Sequence, residues 1–388
     1  MKIHKVKESS ATKSLKSVKY GVVMSGDIGA GGKYSYENSV RNILEASNLN
    51  IIYYVEGIKR YAFFQSIFPI RFYREKFTDR VKKLIIGNLN SLPSCLTSKL
   101  FWSSLERKMT KDAVDIAYFV SPNHIGLIFQ HIPMINTVWD LGHRDLPEYP
   151  EFRSLQTFRN RENYLALTLP RSLHIFVDSQ TTLEKIHSFY GVEPYRISAV
   201  GLFPQIEIDS KKILQSAKKN IIVYPANFWP HKNHDTLFKA MRIVVKKYPC
   251  ELYLAAASEM NVNEFTSRMN KEFPDVIFRC FVGINKLDLE EIIKYAKVLV
   301  MPSSLGPTNL PPLEAQLLGT KVVVSSAHKD LPSNSNIIKV DPFNESEFAN
   351  AILNFLNEPE FDFKEVECSS NYPELLLETL NLVASRVR

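Results

Sequence analysis

Cysteines and long apolar runs are scarce in this sequence, and both absences limit what the protein can be. The 388 residues include four widely spaced cysteines, Cys95, Cys250, Cys280 and Cys368. They form no metal-ligand pattern, so reduced thiols of a cytosolic protein are the simplest interpretation. No apolar run approaches the roughly 18 residues of a membrane-spanning helix. The start of the chain has charges but no apolar core, so we expect residues 1–18 to be a disordered basic tail and the protein to be cytoplasmic.

Acidic residues are also in short supply. There are 41 Asp and Glu residues against 48 Lys and Arg, which gives a formal net charge of +7. We therefore expect an anionic partner, for which phosphate ligands, an anionic membrane and nucleic acid are the options. No basic recognition motif is present, so nucleic acid is not expected. Hydrophobic residues make up 45% and charged residues 23%, as in globular proteins, and the length predicts about two domains.

Several motifs that would define a site are missing. The glycine-rich stretch SGDIGAGGKYSYENSV (25–40) matches neither the dinucleotide-binding GxGxxG pattern nor a Walker A loop. Its residues Gly29, Gly31 and Gly32 would still allow a phosphate to approach the start of a helix, although a plain tight turn is the alternative. No HExxH motif occurs, and residues 288–290 (DLE) lie in an exposed helix pattern. We therefore expect no metal site.

Strand-like apolar runs alternate with helical patterns in both halves of the chain, which predicts parallel sheets covered by helices. In the first half the predicted strands are residues 18–26, 50–57, 115–122, 134–140 and 173–179, and the clearest helices are residues 34–48 and 181–191, the latter closed by Gly191. In the second half the predicted strands are residues 220–227, 251–257, 276–283, 298–303 and 321–326, and the helices are residues 235–248 and 288–296.

This pattern predicts an α/β protein with two Rossmann-like domains that face each other across a cleft. The first domain would span residues 19–201 and the second residues 220–360. The polar segment 202–219, which contains Pro204, is typical of a linker. Residues 361–388 are predicted to be a C-terminal helical segment, with a return to the first domain as one option.

The stretch LGPTNLPPLEAQLLG (305–319) lies between two predicted strands and forms one βαβ unit with them. Its loop falls at the carboxyl end of a parallel strand, where open α/β sheets bind ligands. Pro311 and Pro312 suit a helix start, which would put Glu314 in the first turn. There its carboxylate can accept two hydrogen bonds from a ribose diol, or simply stabilise its own helix.

The stretch YPANFWPHKNHDTL (224–237) also joins a strand to a helix. Lys232 follows a Pro-bearing aromatic turn, from which it can neutralise a pyrophosphate. Asn233 and Asp235 can cap the next helix. The alternative is a solvated lysine beside a helix cap.

Charged residues crowd a third loop, TVWDLGHRDLPEYPE (137–151), which directly follows a predicted strand. The dense group comprises Asp140, His143, Arg144 and Asp145, and such density suits a functional site, although a lone histidine is more often structural. The spacing gives no metal triad.

Residues 58–88 mix aromatic side chains with Lys and Arg. The segment could face an anionic membrane or a lipid-linked acceptor. A pair of amphipathic helices with a solvated basic face is an equally good interpretation.

Taken in order, these motifs resemble those of the group-1 glycosyltransferases, the retaining family-4 enzymes of the GT-B fold. The resemblance covers roughly residues 19–360. It is most specific in YPANFWPHKNH and GPTNLPPLEAQLLG, which are similar to a bacterial surface-polysaccharide branch, as is WDLGHRDLPEYPE in the first half. It implies a donor site in the second domain and an acceptor site in the first.

The resemblance also implies roles for individual residues. Glu314 matches the second glutamate of the family's E-x7-E motif, which holds the ribose, whereas Gly306 occupies the first position. A donor-sugar contact would then come from elsewhere, for instance the backbone of Thr308 and Asn309. Lys232 matches the lysine on the donor diphosphate, and the usual nearby arginine is replaced, with Asn227 close by. The full donor site implied is Gly31, Gly32, Asn227, Lys232, Asn233, Gly306, Thr308, Asn309, Leu310 and Glu314.

The catalytic group implied by the resemblance is Asp140, His143, Lys232 and Glu314. The family's His-Asp pair reads Trp139-Asp140 here, which leaves His143 as the nearest imidazole. No metal or other cofactor is expected, because Lys232 and the amides of residues 29–32 would stabilise the departing pyrophosphate. In the family's front-face mechanism, the leaving phosphate itself can take the acceptor proton.

The function implied is retaining transfer of a hexosyl group, with mannosyl as one candidate, from a nucleoside-diphosphate sugar. The acceptor would be a growing glycan or a lipid-linked acceptor in polysaccharide or lipopolysaccharide biosynthesis, at the inner face of the cytoplasmic membrane. A GT-B-fold sugar-nucleotide epimerase and a degenerate, non-catalytic nucleotide-sugar-binding protein are the alternatives.

Overall fold

Two parallel β-sheets, one in each half of the chain, form the framework of the protein. The structure, a computed structural model, describes residues 17–24, 32–56, 66–88, 102–204, 206, 217–257, 262–306, 308–358, 361–366 and 371–387. All strand pairings in both sheets are parallel. The predicted α/β architecture of two Rossmann-like domains is therefore confirmed.

In the described part of the chain, the first sheet contains seven strands. They are β1 (Lys19–Met24), β2 (Asn50–Glu56), β3 (Ile70–Tyr73), β4 (Ile116–Phe119), β5 (Met134–Val138), β6 (His174–Val177) and β7 (Ile197–Ala199), in the order β3-β2-β1-β4-β5-β6-β7. The helices of this half are α1 (Gly32–Glu45), α2 (Phe77–Asn88), α3 (Ser104–Lys111), α4 (Gly142–Asp145), α5 (Pro150–Arg153), α6 (Leu155–Thr168) and α7 (Gln180–Tyr190).

Among the residues that the structure describes, the second sheet contains six strands. They are β8 (Lys219–Pro225), β9 (Glu251–Ala256), β10 (Phe278–Val282), β11 (Ala296–Met301), β12 (Lys321–Ser325) and β13 (Ile337–Val340), in the order β10-β9-β8-β11-β12-β13. The helices are α8 (His234–Val244), α9 (Val262–Glu272), α10 (Lys286–Tyr295), α11 (Leu310–Leu317), α12 (Glu345–Asn357) and α13 (Tyr372–Val387).

Each sheet reverses its strand order at its own first strand, and this reversal determines where a ligand can bind. β1 lies between β2 and β4, and β8 lies between β9 and β11. In open α/β sheets the helices diverge at such a switch point, which leaves a crevice at the carboxyl ends of the strands. The loops after β1 and β8 are therefore the expected walls of a binding site.

The central strands are apolar because helices cover both faces of each sheet. In β1, Val22 packs into the core on one face and Val23 into the core on the other, as the two-residue period of a strand requires. The five residues of β12 are all buried. A single core fills the second domain, from β8 through α12.

The last helix, α13, packs against the first sheet rather than the second. The hydroxyl of Tyr20 on β1 donates to the carbonyl of Leu380 at 2.6 Å, and Leu376 is fully buried in the core that β1 contributes to. Tyr372 stacks on Phe203 with ring centroids 5.9 Å apart. The second half of the chain is therefore tied back to the first by its own C-terminal helix.

The structure corrects the interpretation of the basic aromatic segment. Residues 70–73, for which a pair of amphipathic helices was one of the interpretations, form the edge strand β3, and a helix begins only at Phe77. A four-residue edge strand with partly exposed side chains has too few apolar positions to show a strand period. Residues 58–65 of that segment lie outside the described residues, as does the tail up to residue 16.

Two further findings concern membranes and cysteines. Among the described residues, no helix combines the length and apolar character needed to cross a bilayer. Cys250 and Cys280 are free thiols, and burial raises the pKa of each to about 11. Cys95 and Cys368 lie outside the described residues.

Candidate active site

A cavity of about 500 Å³ lies between the two sheets and is lined by both domains. The first domain contributes the start of α1, the loops after β5 and β6, and part of α6. The second domain contributes the loops after β8, β9 and β11 and parts of α10 and α11. The walls thus include the helix that follows β1 and the loop after β8, as the two switch points require.

Lys232 reaches this cavity from the loop after β8. It ends a short 3₁₀ turn, Pro230–Lys232, whose geometry is held by a hydrogen bond from the hydroxyl of Tyr224 to the Lys232 carbonyl at 2.7 Å. Burial lowers the pKa of Lys232 to about 8, and Asp140 partly opposes that shift. Asn227, in the same loop, also lines the cavity, and its Oδ1 accepts from the backbone N–H of Ala257 at 2.8 Å.

Asn233 occupies a different place from the one predicted. It is not part of the cavity lining, and its side-chain amide donates to the carbonyls of Pro302 and Pro342. Its φ of 56° makes it one of two described non-glycine residues with a left-handed backbone. Asn233 is the N-cap residue of α8, as predicted, but its side chain makes no cap hydrogen bond to a backbone amide. Its Oδ1 accepts from the hydroxyl of Thr236 at 2.8 Å instead. Asn233 instead fastens the Lys232 turn to the loops after β11 and β13.

Glu314 lies in the cavity wall but deeper in its helix than predicted. Helix α11 begins at Leu310 rather than at the two prolines, so Glu314 is in the second turn and no acidic residue occupies the first. The expected first-turn position was therefore wrong, and the effect of a helix dipole on Glu314 is correspondingly weaker. Burial raises the pKa of this carboxyl to about 7, with Lys286 lowering it and Glu290 raising it further.

Glu290 is a cavity residue that the sequence analysis placed in an exposed helix pattern. It lines the cavity from α10 together with Lys286, and the two side chains pair at 3.5 Å. Burial raises the pKa of Glu290. Because Glu314 faces this pair, the end of the cavity around α10 and α11 carries two carboxyls and one ammonium group.

The loop between β11 and α11 brings its polar groups to the cavity. Gly306, Thr308, Asn309 and Leu310 all line it. Gly306 has a φ of 101°, and a Cβ built there would lie 2.9 Å from the side-chain nitrogen of Asn309, so only glycine fits. The nitrogen Nδ2 of Asn309 is buried and has no hydrogen-bond partner among the described residues.

The glycine-rich turn is only partly described. Gly32, the first residue of α1, lines the cavity, which leaves the amide end of that helix directed toward it. Gly29 and Gly31 lie outside the described residues.

The loop after β5 delivers Asp140 to the cavity, but it does not deliver His143. Asp140 accepts hydrogen bonds from the Gly142 amide at 2.8 Å and from the guanidinium of Arg161. His143 is completely buried, and its Nε2 lies 3.0 Å from a carboxylate oxygen of Glu162. Burial lowers the pKa of His143, and the bond to Glu162 opposes this.

The prediction that His143 meets the acceptor is therefore wrong, because α4 turns its ring into the protein, away from the cavity lining. Its neighbours have structural partners as well. Arg144 forms a forked pair with Glu162, and Asp145 pairs with Lys185 at 2.8 Å.

Besides Glu290 and Lys286, the sequence analysis missed Arg161, Asp178 and His231, which also line the cavity. Arg161 on α6 lines the cavity beside Asp140, and no sequence signal distinguishes it from other helix-surface arginines. Asp178 follows β6 and is 5% exposed; burial raises its pKa to about 6, while bonds from Thr182, Ser179 and Thr308 lower it. Its position at the carboxyl end of an apolar strand is a signal that could have identified it. His231 is the third, and it lines the cavity next to Lys232.

Hydrogen bonds cross between the domains around this cavity. The hydroxyls of Tyr149 and Ser304 lie 2.8 Å apart. Glu151 accepts from the backbone N–H of His231 at 3.0 Å and contacts its ring nitrogen at 2.6 Å. The cleft is thus closed on one side by contacts from the loop after β5.

No group of three or more His, Cys, Asp or Glu side chains in the described part of the chain is arranged to hold a metal ion. The absence of a metal requirement remains a prediction.

The comparison with known protein families matches the second half of the chain. Residues 219–358 match the family model "Glycosyl transferases group 1". The O-antigen chain mannosyltransferase RfbU of Salmonella typhimurium is 25% identical over 200 residues, which are 50% of this chain and 54% of that protein. The chain thus spans about half the length of the curated relative it matches.

Solved structures match over nearly the whole chain. HepE of Anabaena, solved with UDP and glucose, superposes with a TM-score of 0.65 and 15% identity, covering 93% of this chain and 99% of that one. TarM of S. aureus gives a TM-score of 0.69 at 12% identity, covering 95% and 99%. At these identities the solved structures establish the fold alone. The chain thus has the GT-B fold, and its residues 219–358 are similar to a group-1 glycosyltransferase domain.

Proposed function

We propose that this protein is a glycosyltransferase that moves a hexosyl group from a nucleoside-diphosphate sugar to a growing glycan or lipid-linked acceptor in polysaccharide or lipopolysaccharide biosynthesis. The observation that carries the proposal is the shared cavity, in which Lys232 and Glu314 of the group-1 domain face Asp140 and Arg161 of the other domain. Mannose is the first sugar to test, because the curated relative is a mannosyltransferase.

The cavity offers a complementary group for each part of a donor. The ammonium of Lys232 and the amides at the start of α1 suit a diphosphate. The carboxylate of Glu314 suits the two hydroxyls of a ribose, since an ionised carboxylate accepts at both oxygens. UDP in the HepE structure is consistent with a nucleotide in such a cleft.

The proposed reaction retains the configuration of the sugar. The acceptor oxygen attacks the anomeric carbon from the face on which the diphosphate leaves, the bond from that carbon to the phosphate oxygen breaks, and its electron pair departs with the diphosphate. The acceptor proton passes to a phosphate oxygen. Lys232 stabilises the negative charge that develops, so this reaction requires no metal and no protein base.

The acceptor would enter from the first domain. Helix α2 of that domain exposes Phe77, Val81 and Leu84, which are 79%, 38% and 63% exposed and lie on one helical face. Exposed basic residues, Arg74, Lys76 and Arg80, flank this face. An apolar face with a basic rim suits a surface that contacts an anionic membrane, and this contact would bring a lipid-linked acceptor to the cleft.

The purified protein should be screened by calorimetry against UDP-, GDP- and dTDP-hexoses, followed by transfer assays with lipid-linked and glycan acceptors in the presence and absence of EDTA. We expect binding of one donor, acceptor-dependent release of the diphosphate that EDTA does not suppress, and a product with retained anomeric configuration by NMR. Epimerisation or hydrolysis of UDP-GlcNAc without acceptor would favour the epimerase alternative. Donor binding without any turnover across the acceptors would favour a non-catalytic binding protein.

A further inference from the structure

We propose that Asp178 of the first domain and Asn309 of the second form a two-sided clamp for the hydroxyl groups of the donor's sugar, and that this clamp is complete only when the two domains are closed. The inference rests on the proposed function and names the residues that would bind the hydroxyl groups of the sugar.

Asp178 has the chemistry and the position for this role. It lines the cavity from the loop after β6 and is 5% exposed. Its carboxylate accepts from Ser179 at 3.0 Å and, across the domain boundary, from the hydroxyl of Thr308 at 3.0 Å. Thr182 also bonds to this carboxylate. A carboxylate has about four acceptor positions, so one remains for a ligand hydroxyl.

Asn309 supplies the opposite polarity in the same cavity. Its Nδ2 is buried without a hydrogen-bond partner among the described residues, and it follows directly after Thr308. A buried amide donor left unpaired costs roughly 1–3 kcal/mol, so a native structure that keeps one usually pairs it with a ligand. Gly306 leaves the space that this amide occupies, since a Cβ there would lie 2.9 Å from Nδ2.

The clamp shares its cavity with the group that would hold the diphosphate, because Asp178, Asn309 and Lys232 all line it. A sugar attached to a diphosphate at Lys232 would lie in the same cavity as the clamp. One side of the clamp donates a hydrogen bond and the other accepts, which is the combination that a ring of hydroxyl groups requires.

The clamp makes sugar recognition depend on domain closure. Asp178 belongs to the first domain and Asn309 to the second, and Thr308 bonds to Asp178 across the boundary. An open cleft would still hold the nucleotide through the second domain, but it would not distinguish the sugar. Correct donors would thus favour the closed state in which transfer occurs.

The test compares the dissociation constants of a nucleoside diphosphate and of its sugar derivative, using UDP with UDP-glucose and GDP with GDP-mannose and taking the pair that the wild type binds. For Asp178→Asn we expect affinity for the sugar derivative to fall about 10- to 100-fold, the range of a charge-assisted hydrogen bond. Affinity for the diphosphate should change less than about twofold. Asn309→Ala should show the same split.

Asp330→Asn is the matched control, because the exposed Asp330 also accepts a bond across the domains, from the N–H of Thr181 at 3.2 Å, yet does not line the cavity. This variant should bind both ligands like the wild type. If Asp178→Asn does not fold, Thr308→Val removes the cross-domain donor instead and should show the same sugar-specific loss. Equal losses for diphosphate and sugar derivative, or no loss, would overturn the clamp. A wild type that binds neither these pairs nor a dTDP-hexose would overturn the proposed function itself.

Discussion

At the scale of single residues, burial sets the protonation of the groups that would hold the donor. Lys232 and Glu314 are placed in the cavity wall, and burial moves the pKa of each toward neutrality, to about 8 and about 7. The charged form of Lys232 would pair with the diphosphate, and the charged form of Glu314 would accept from the ribose. Burial lowers the pKa of Lys232 but raises the pKa of Glu314. The pH dependence of donor binding therefore tests each residue separately.

Lys232→Ala should weaken binding of the nucleoside diphosphate by about 1.5–3 kcal/mol, the scale of a charge-assisted hydrogen bond. In the wild type, a bound anion favours the protonated amine, so affinity should be greatest below pH 8 and fall as the pH rises through 8 to 9. Lys232→Arg keeps its charge and should flatten this fall. Calorimetric titrations at four pH values would show it, and an unchanged affinity in the alanine variant would remove Lys232 from the site.

Glu314→Gln should weaken nucleotide binding above pH 7, because an amide oxygen can accept from the ribose diol but its nitrogen cannot. Wild-type affinity should rise through pH 7 as the carboxyl ionises, and the variant should lose that rise. Measurements with the diphosphate alone avoid any contribution from the sugar. A parallel change in Glu291→Gln, an exposed glutamate on α10, would indicate a nonspecific charge effect.

Thermal unfolding of the same variant separates a ligand role from a purely structural one. The pKa of Glu314 is raised in the folded state, so its protonated form stabilises the protein below pH 4.5, and this contribution is lost as the pH rises through 7. The difference corresponds to a free energy of unfolding on the order of 3 kcal/mol. Glu314→Gln should therefore unfold at a higher temperature than the wild type at pH 8. A lower unfolding temperature with unchanged ligand affinity would mean that Glu314 only supports its helix.

At the scale of secondary-structure elements, the central strands and the edge strand β10 followed from local pattern, and the shorter edge strands did not. The buried centres of β8, β11 and β12 (residues 221–224, 298–301 and 322–324) are continuous apolar runs because helices cover both of their faces. β3 and β13 are four-residue strands at the sheet edges. Such short strands form because the backbone of a neighbouring strand is available for hydrogen bonding. The alternation of apolar and polar residues in the sequence cannot reveal this pairing.

Helix α2 carries the element-scale prediction. Replacing Phe77 and Leu84 together with serine should reduce binding to vesicles that contain anionic lipid at least tenfold, because each buried apolar side chain contributes about 1.5–3 kcal/mol. Co-sedimentation with anionic and with neutral vesicles at two salt concentrations is the measurement. Leu287→Ser, at a 76% exposed leucine of the second domain, is the matched control. Equal vesicle binding by the double variant and the wild type would contradict a membrane role for α2.

At the scale of the whole molecule, contacts between the domains decide which loops can act together. Glu151 of the first domain binds the backbone and ring of His231, the residue immediately before Lys232. Burial lowers the pKa of His231 to about 4, so the ring is neutral near pH 7 and the contact there is a hydrogen bond rather than an ion pair. The first domain thereby helps to fix the turn that presents Lys232.

Glu151→Ala should open the cleft of the ligand-free protein, because it removes both bonds to His231. Small-angle X-ray scattering should report a larger radius of gyration, and a saturating nucleotide sugar should reverse the increase. Glu148→Ala, at an exposed glutamate of the same loop, should scatter like the wild type. Identical scattering curves for all three proteins would show that this contact does not hold the domains together.

The sequence by itself determined the class of fold and the strand ends that could bear a site. Two series of alternating strands and helices require parallel sheets, and parallel sheets bring the carboxyl ends of their strands to one edge. Lys232, Glu314 and Asp140 each follow such a strand, and all three line the cavity. Position along the chain was sufficient for them, because the βα loop is a local structure.

Only the tertiary structure decided which side chains face the cavity. His143 lies three residues after Asp140 in one loop, yet helix α4 turns it inward to Glu162 while Asp140 remains in the wall. Arg161 and Asp178 come from other elements, and they meet the loop after β11 through packing between the two domains. These contacts depend on how the two domains are oriented and how far the cleft between them is closed. No local sequence pattern encodes that arrangement.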